Sequence, residues 1–220
     1  MGYKTLKFDN GNSIEAGTMY CIGQNYAKHA AEMGSQVSES PTVFIKPPSA
    51  YIENGENIIL PDFSDNIHHE VELVVAIGKD CHFIDESDAW KYIAGYAVGI
   101  DVTLRDLQTN AKKDGKPWAI AKGFYTSAPI SEFISSEGFG NEIPYFDLKL
   151  SVDGNIKQAG NTSEMERSVA NLVKFLASVF TLRKGDVIFT GTPEGVGPIK
   201  KGNFIIASLS NYKKIEVGVV

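Results

Sequence analysis

The stretch His68-His69-Glu70-Val71-Glu72-Leu73-Val74-Val75-Ala76-Ile77 constrains this chain more than any other. Side chains alternate across a strand, so Val71, Leu73, Val75 and Ile77 take one face and Glu70, Glu72, Val74 and Ala76 the other. Beyond Glu72 both faces are apolar, and a strand buried on both faces belongs inside a β-rich core. Two carboxylates at the mouth of such a strand repel each other and lose hydration; protonation or a bound cation is the usual remedy. Asp101 has a similar setting, ending the apolar run Tyr96-Ala97-Val98-Gly99-Ile100 just before Thr103. Three carboxylates without a cysteine suit a hard cation, Mg²⁺, Mn²⁺ or Ca²⁺, better than zinc. The zinc-protease pattern His-Glu-x-x-His fails, because Leu73 stands where the second histidine belongs. The plainer reading keeps Glu70 and Glu72 on a solvated edge and Asp101 as the cap of a turn. Spacing alone does not bring Asp101 to the other two.

The remaining sequence supports a mostly β fold of α+β type with a few short helices. Its 220 residues are 43% hydrophobic and 22% charged, enough for one sizeable core, and we expect a single domain over 1–220. Asp9-Asn10-Gly11-Asn12, Asn54-Gly55 and Asp153-Gly154 each predict a hairpin, because Asn-Gly and Asp-Gly tolerate the positive φ of tight turns. The first lies in an N-terminal strand or hairpin over 1–18. Helices are expected over 25–33, stopped by Gly34, and over 85–92, 103–113 and 164–180, with Asp85 and Thr103 as caps. The C-terminal third returns to strands at 187–190, 204–209 and 214–219.

Composition excludes several functions. A net charge of −6 argues against a nucleic-acid partner. No apolar run approaches the ~18 residues of a membrane span, and the alternating N-terminus is unlike a signal peptide, so a cytoplasmic protein is expected. Cys21 and Cys81 form no disulfide framework.

On the helix expected over 25–33, His29 and Glu32 are neighbours on one face. A carboxylate bonded to one imidazole nitrogen fixes the tautomer and leaves the other nitrogen to take a proton from water; the alternative is an exposed ion pair. Lys46, before Pro47-Pro48, and Lys122, between Ala121 and Gly123, either anchor an anionic substrate or snorkel to the surface. Thr190-Gly191-Thr192-Pro193-Glu194-Gly195-Val196-Gly197-Pro198 is rich in backbone donors but fits neither a Walker loop nor a dinucleotide fingerprint, and reads as a turn-rich structural loop.

Taken in order, these segments resemble the fumarylacetoacetate hydrolase (FAH) family. The resemblance runs from Tyr20-Cys21-Ile22-Gly23 through Asn25-Tyr26 with His29 and Glu32, Phe44-Ile45-Lys46-Pro47 and the carboxylate strand. It continues through Gly95-Tyr96, Asp101-Val102-Thr103 with Arg105-Asp106 and Gln108, then Lys122, to the Thr190–Gly197 loop. Chain length resembles the short acylpyruvase-like branch. Relatives often carry Arg where this chain has Gln24, and a small or acidic residue at Tyr125.

The resemblance implies a mixed β-roll or sandwich, a homodimer, and Mg²⁺ or Mn²⁺ held by Glu70, Glu72 and Asp101. It also implies a lid helix whose His29 and Glu32 activate water, assisted by Lys122, with Lys46, Arg105, Gln108 and Thr192 binding substrate. The implied reaction is hydrolysis of a carbon–carbon bond in an acylpyruvate, giving pyruvate and a carboxylic acid, with oxaloacetate decarboxylation alongside. Two alternatives stay open: an isomerase or decarboxylase of hydroxymuconate-type diacids, and a noncatalytic cation-binding β module.

Overall fold

Val71–Ile77 is buried at every position and lies inside a six-stranded mixed sheet in the computed structural model, which describes residues 4–34 and 38–220. Residues 1–3, at the head of the expected N-terminal strand, lie outside the described residues. The strand order is Ile134–Ser135, Ile93–Ile100, Val71–Ile77, Val187–Phe189, Met19–Gly23, Thr42–Lys46. A second sheet has five strands in the order Asn155–Asn161, Asp147–Val152, Phe204–Leu209, Lys213–Val219, Asn57–Ile58.

Alternation divides the core in two. Val71, Leu73, Val75 and Ile77 pack with Val98, Leu150, Ile205, Ala207 and Val217, joining the two sheets face to face. Val74 and Ala76 join Met19, Cys21, Ala97 and Phe189 on the reverse face, covered by Leu6, Phe8, Tyr51 and Phe133. The central strand is therefore buried on both sides, and the mostly β architecture with short helices is the one the sequence predicts. The longest helix, Val169–Val179, buries Leu172, Val173 and Leu176, and Ser168 Oγ caps it by accepting from Asn171 N at 3.1 Å. It is shorter than 164–180 because Thr162–Glu164 forms a separate 3₁₀ turn ahead of it.

Two turn signals make hairpins: Thr5–Lys7 with Ser13–Glu15, and Asp147–Val152 with Asn155–Asn161. Asn54-Gly55 does not. Its turn docks on another strand, with Glu216 N donating to Asn54 Oδ1 at 2.7 Å and Gly55 N donating to Glu216 O at 2.9 Å. The flanking segments diverge, Tyr51–Ile52 pairing with Ala128–Pro129 and Asn57–Ile58 with Lys213–Val219. The expected caps also fail. Asp85 makes no cap bond to the 3₁₀ helix Glu86–Tyr92, and Thr103 lies in the short strand Thr103–Leu104, before the helix Arg105–Asp114.

Truncating Leu73, which is fully buried between the sheets, should cost about 2–5 kcal/mol in urea denaturation. Ile156→Ala, at a site 62% exposed, should stay within about 0.5 kcal/mol. Equal effects would overturn the placement of the core.

Candidate active site

Strand register builds the carboxylate cluster. Val71 pairs with Ile100 and Glu72 with Gly99, so the next residue, Asp101, comes to rest beside Glu70, and Asp101 N donates to Glu70 O at 2.8 Å. Gly99, paired with Glu72, lets Val74 and Phe189 pack against the strand; a Cβ there would meet Val74 Cγ2 at 2.5 Å and Phe189 Cε1 at 2.8 Å. One oxygen from each of Glu70, Glu72 and Asp101 lies within 4.8 Å of the others, and all three residues are buried.

Three cations share this buried charge. Lys122 Nζ donates to Glu70 Oε2 at 2.8 Å, Asp101 Oδ2 at 2.6 Å and Thr103 Oγ1 at 2.6 Å. Arg105 Nη2 pairs with the other Glu70 oxygen, Oε1, while Arg105 Nη1 donates to Gln108 Oε1 at 2.6 Å. Lys46 lies 2.8 Å from Asp101 Oδ1 as an ion pair, but it donates to the carbonyls of Val102, Lys122 and Ser127. Asp101 Oδ1 is thus buried and accepts no hydrogen bond.

The carboxylates differ accordingly. Burial pushes the Glu70 pKa up, but Lys122 and Arg105 together outweigh it and the net direction is down. Among the described residues Glu72 makes no ion pair; burial, then Asp101, then Glu70 push its pKa well above the ordinary carboxylate range. Gly191 N, donating to Glu72 Oε2 at 2.7 Å, and the more distant Lys122 charge offset this only in part. Burial depresses the Lys122 ammonium, yet Asp101 and Glu70 overcome this and hold its pKa above the usual value. Hard oxygens converging at one point, one carboxyl among them driven toward protonation, fit a divalent cation.

The Thr190–Gly197 loop therefore does more than turn the chain. Gly191 has φ +102°, and a Cβ there would meet Asn25 Cβ at 2.8 Å, so only glycine lets the loop reach Glu72. Asn25 holds it by donating to Thr190 O at 2.9 Å and to Arg167 O at 3.0 Å.

Above the carboxylates, the helix Ala27–Glu32 brings in the histidine. His29 is buried, and its Nδ1 lies 3.4 Å from Glu32 Oε2. Gly195 N donates to both Glu32 oxygens, at 3.1 and 3.2 Å, so a backbone group anchors the carboxylate. His29 lines a narrow cleft together with Glu70, Glu72, Asp101, Lys122 and Thr192.

The helix Arg105–Asp114 adds Arg105, Gln108 and Lys112 to the same cleft, at spacing i, i+3, i+7. Lys112 and Trp118 were not legible as site residues; Lys112 Nζ lies 5.0 Å from the Trp118 ring centroid, and both line the cleft. The i, i+7 spacing from Arg105 was the available signal. Lys46 is a correction. It is fully buried behind Asp101 and saturated by carbonyls, so it supports the carboxylates and does not reach the cleft. Gln24 lines the cleft, whereas Tyr125 is exposed and does not.

Acid–base groups gathered with perturbed carboxylates in one cleft define an enzyme of mixed β architecture. The family model described as fumarylacetoacetate (FAA) hydrolase, C-terminal, matches residues 18–220, and the chain belongs to this family. It is 44% identical over 199 residues to the mitochondrial oxaloacetate tautomerase FAHD1 of Arabidopsis thaliana, covering 90% of this chain and 89% of that one. The oxaloacetate tautomerase YcgM of Escherichia coli (strain K12) is 42% identical over 192 residues, covering 87% and 88%. Among solved structures, fumarylpyruvate hydrolase from Pseudomonas aeruginosa, in complex with Mn²⁺ and pyruvate, superposes with a TM-score of 0.95 at 35% identity, covering 100% of this chain and 97% of that chain. Among the described residues no helix is long and apolar enough to cross a membrane.

Glu72 sets a pH dependence. A carboxyl whose pKa is higher folded than unfolded stabilises the fold below the unfolded value, about 4.3, and loses that contribution as pH rises through the folded value. In EDTA, the melting temperature should fall as pH rises above the ordinary carboxylate range. Glu72→Gln should flatten that fall, raise the metal-free melting temperature by a few degrees and remove stabilisation by Mg²⁺ or Mn²⁺. A variant still stabilised by the cation would remove Glu72 from the ligand set.

Proposed function

We propose that the chain hydrolyses a carbon–carbon bond in an acylpyruvate, giving pyruvate and a carboxylic acid. The observation that carries this reading is the His29–Glu32 pair in the same cleft as the carboxylate cluster. Mg²⁺ or Mn²⁺ (Ca²⁺ suits the same oxygens), held by Glu70, Glu72 and Asp101, would supply positive charge that stabilises the negative charge developing on the 2-oxo acid.

The chain's own groups do the rest. Glu32, anchored by Gly195 N, fixes Nδ1 of His29 and leaves Nε2 to take a proton from water. That water adds to the distal carbonyl carbon, the bond to the pyruvyl methylene breaks, and its electron pair passes into the 2-oxo acid. The proton held by His29 then restores the pyruvate methyl group. Lys122 is kept protonated by Asp101 and Glu70 and presents its charge to the oxyanion. Arg105, Gln108 and Thr192 supply donors to the substrate's carboxylate.

A second reading, oxaloacetate tautomerisation, is favoured by the two relatives of that name. It needs the proton transfer but no attacking water, as does decarboxylation of oxaloacetate. A homodimer acting in the cytoplasm is our reading of assembly and setting.

With Mg²⁺, acetylpyruvate or fumarylpyruvate should lose its ultraviolet enol absorbance as pyruvate appears, and EDTA should stop both. Glu32→Gln should lower kcat for hydrolysis by about 10²-fold, the scale of general-base loss, with the Mg²⁺ requirement unchanged. Turnover of oxaloacetate alone would move the assignment to tautomerase or decarboxylase. A Glu32→Gln enzyme of near-normal rate would remove the pair from the mechanism.

A further inference from the structure

Strand Asn155–Asn161 buries a single side chain, and it is a glutamine. Gln158 is 1% exposed while Ile156, on the same strand, is 62% exposed, an inversion of the ordinary partition. A buried primary amide is tolerated when its donors and acceptor are all satisfied, and here they are. Oε1 accepts from Val71 N at 3.0 Å and faces His69 Nδ1 at 2.9 Å. Nε2 donates to Thr192 Oγ1 at 2.8 Å and to Pro193 O at 2.9 Å.

Two backbone groups fix the orientation of this amide. Val71 N–H can only donate, so the atom facing it is the oxygen; Pro193 C=O can only accept, so the atom facing it is the nitrogen. Two consequences follow. His69 must carry its proton on Nδ1. Thr192 Oγ1 receives a hydrogen from Gln158, so the hydroxyl's own hydrogen is free to point elsewhere. Among the described residues the hydroxyl's one acceptor is Pro193 O at 3.4 Å, a long contact, and Thr192 lines the cleft beside Glu70 and Glu72.

We propose that Gln158 is a positioning residue that aims the Thr192 hydroxyl into the cleft as a hydrogen-bond donor to the carboxylate of the bound 2-oxo acid. The same amide clamps Val71 N, the backbone group between Glu70 and Glu72, so one side chain joins the carboxylate strand to the loop. The contact is close along its length: a Cβ on Gly195 would meet Lys157 O at 2.3 Å, and one on Gly160 would meet Pro193 Cβ at 2.7 Å. This inference rests on the reading of the cleft as a 2-oxo acid site.

The test is a double-mutant cycle read by calorimetric titration of pyruvate into Mn²⁺-loaded protein. Thr192→Val should weaken pyruvate binding about tenfold, the scale of a hydrogen bond to a charged group, and Thr192→Ser should restore it. Gln158→Met, which fills the space but donates nothing, should weaken pyruvate by a similar factor, and the Q158M/T192V double variant should be no worse than either. Mn²⁺ affinity of the Thr192 variants should stay within about twofold. Additive losses, or a Gln158→Met protein that binds pyruvate normally, would overturn the proposal.

A second measurement needs no Gln158 variant. In wild-type protein with Mg²⁺, the Gln158 side-chain amide resonances should shift on adding pyruvate, and Thr192→Val should abolish the shift. Resonances indifferent to pyruvate would make Gln158 a structural clamp only. Wild-type protein that binds Mn²⁺ but no pyruvate would overturn the 2-oxo acid reading itself, and this inference with it.

Discussion

Three carboxylates buried at one end of a central strand are the constraint around which the rest of this structure is arranged. Without partners they could not stay charged in a site from which water is largely excluded. Lys122 and Arg105 answer Glu70, and Lys46 and Lys122 answer Asp101. Glu72 receives only a backbone N–H. The arrangement is lopsided: two carboxylates are compensated by the fold and the third is left costly. On the proposed reading that asymmetry is what a divalent cation would answer, completing what the protein's own groups leave undone.

The cost explains features of the scaffold that would otherwise be unrelated. Lys46 sits on the edge strand Thr42–Lys46, but its ammonium is drawn fully inside to reach Asp101, and three carbonyls replace its lost water. Gly99 and Gly191 bear no side chain because Val74, Phe189 and Asn25 already occupy that space. The loop after Val187–Phe189 has to approach closely enough to place an N–H on Glu72, so Asn25 and Gln158 hold it from two sides.

The fold was legible where period and burial agree, and the site where chemistry departs from period. The carboxylate strand, the hairpins at Asn10-Gly11 and Asp153-Gly154, and the helix stripe of Leu172, Val173 and Leu176 all follow from local pattern. The strands flanking Asn54-Gly55 did not, because a turn sequence specifies a reversal and leaves the partners to longer-range packing. Asp101 could be suspected but not placed, since its distance from Glu70 is set by pairing register. The placement of Lys46 is hidden for a similar reason: an ammonium behind a carboxylate and one in front of it look alike in sequence. Gln158 carries no sequence signal, because the register shift that buries it and exposes Ile156 is visible only in the strand pairing.

The site also divides into parts of different rigidity. Glu70, Glu72 and Asp101 lie on or beside the paired central strands, while Lys122 and Arg105 reach them from the short helix Ala119–Gly123 and the start of the helix Arg105–Asp114. His29 and Glu32 stand on a six-residue helix that has no side-chain cap and is too short to be stable alone. Its attachments include Glu32 to Gly195 N, Lys28, exposed, to Glu164 and Glu194, and the bridge of Tyr26 to Met165. On the proposed reading this division assigns the chemistry. Stabilising charge on a 2-oxo acid is a property of the buried sheet end, common to hydrolysis, tautomerisation and decarboxylation. Activating water is a property of the small helix above it. Changes to that helix and its anchor can therefore alter which reaction predominates without disturbing the buried charges on which the fold depends.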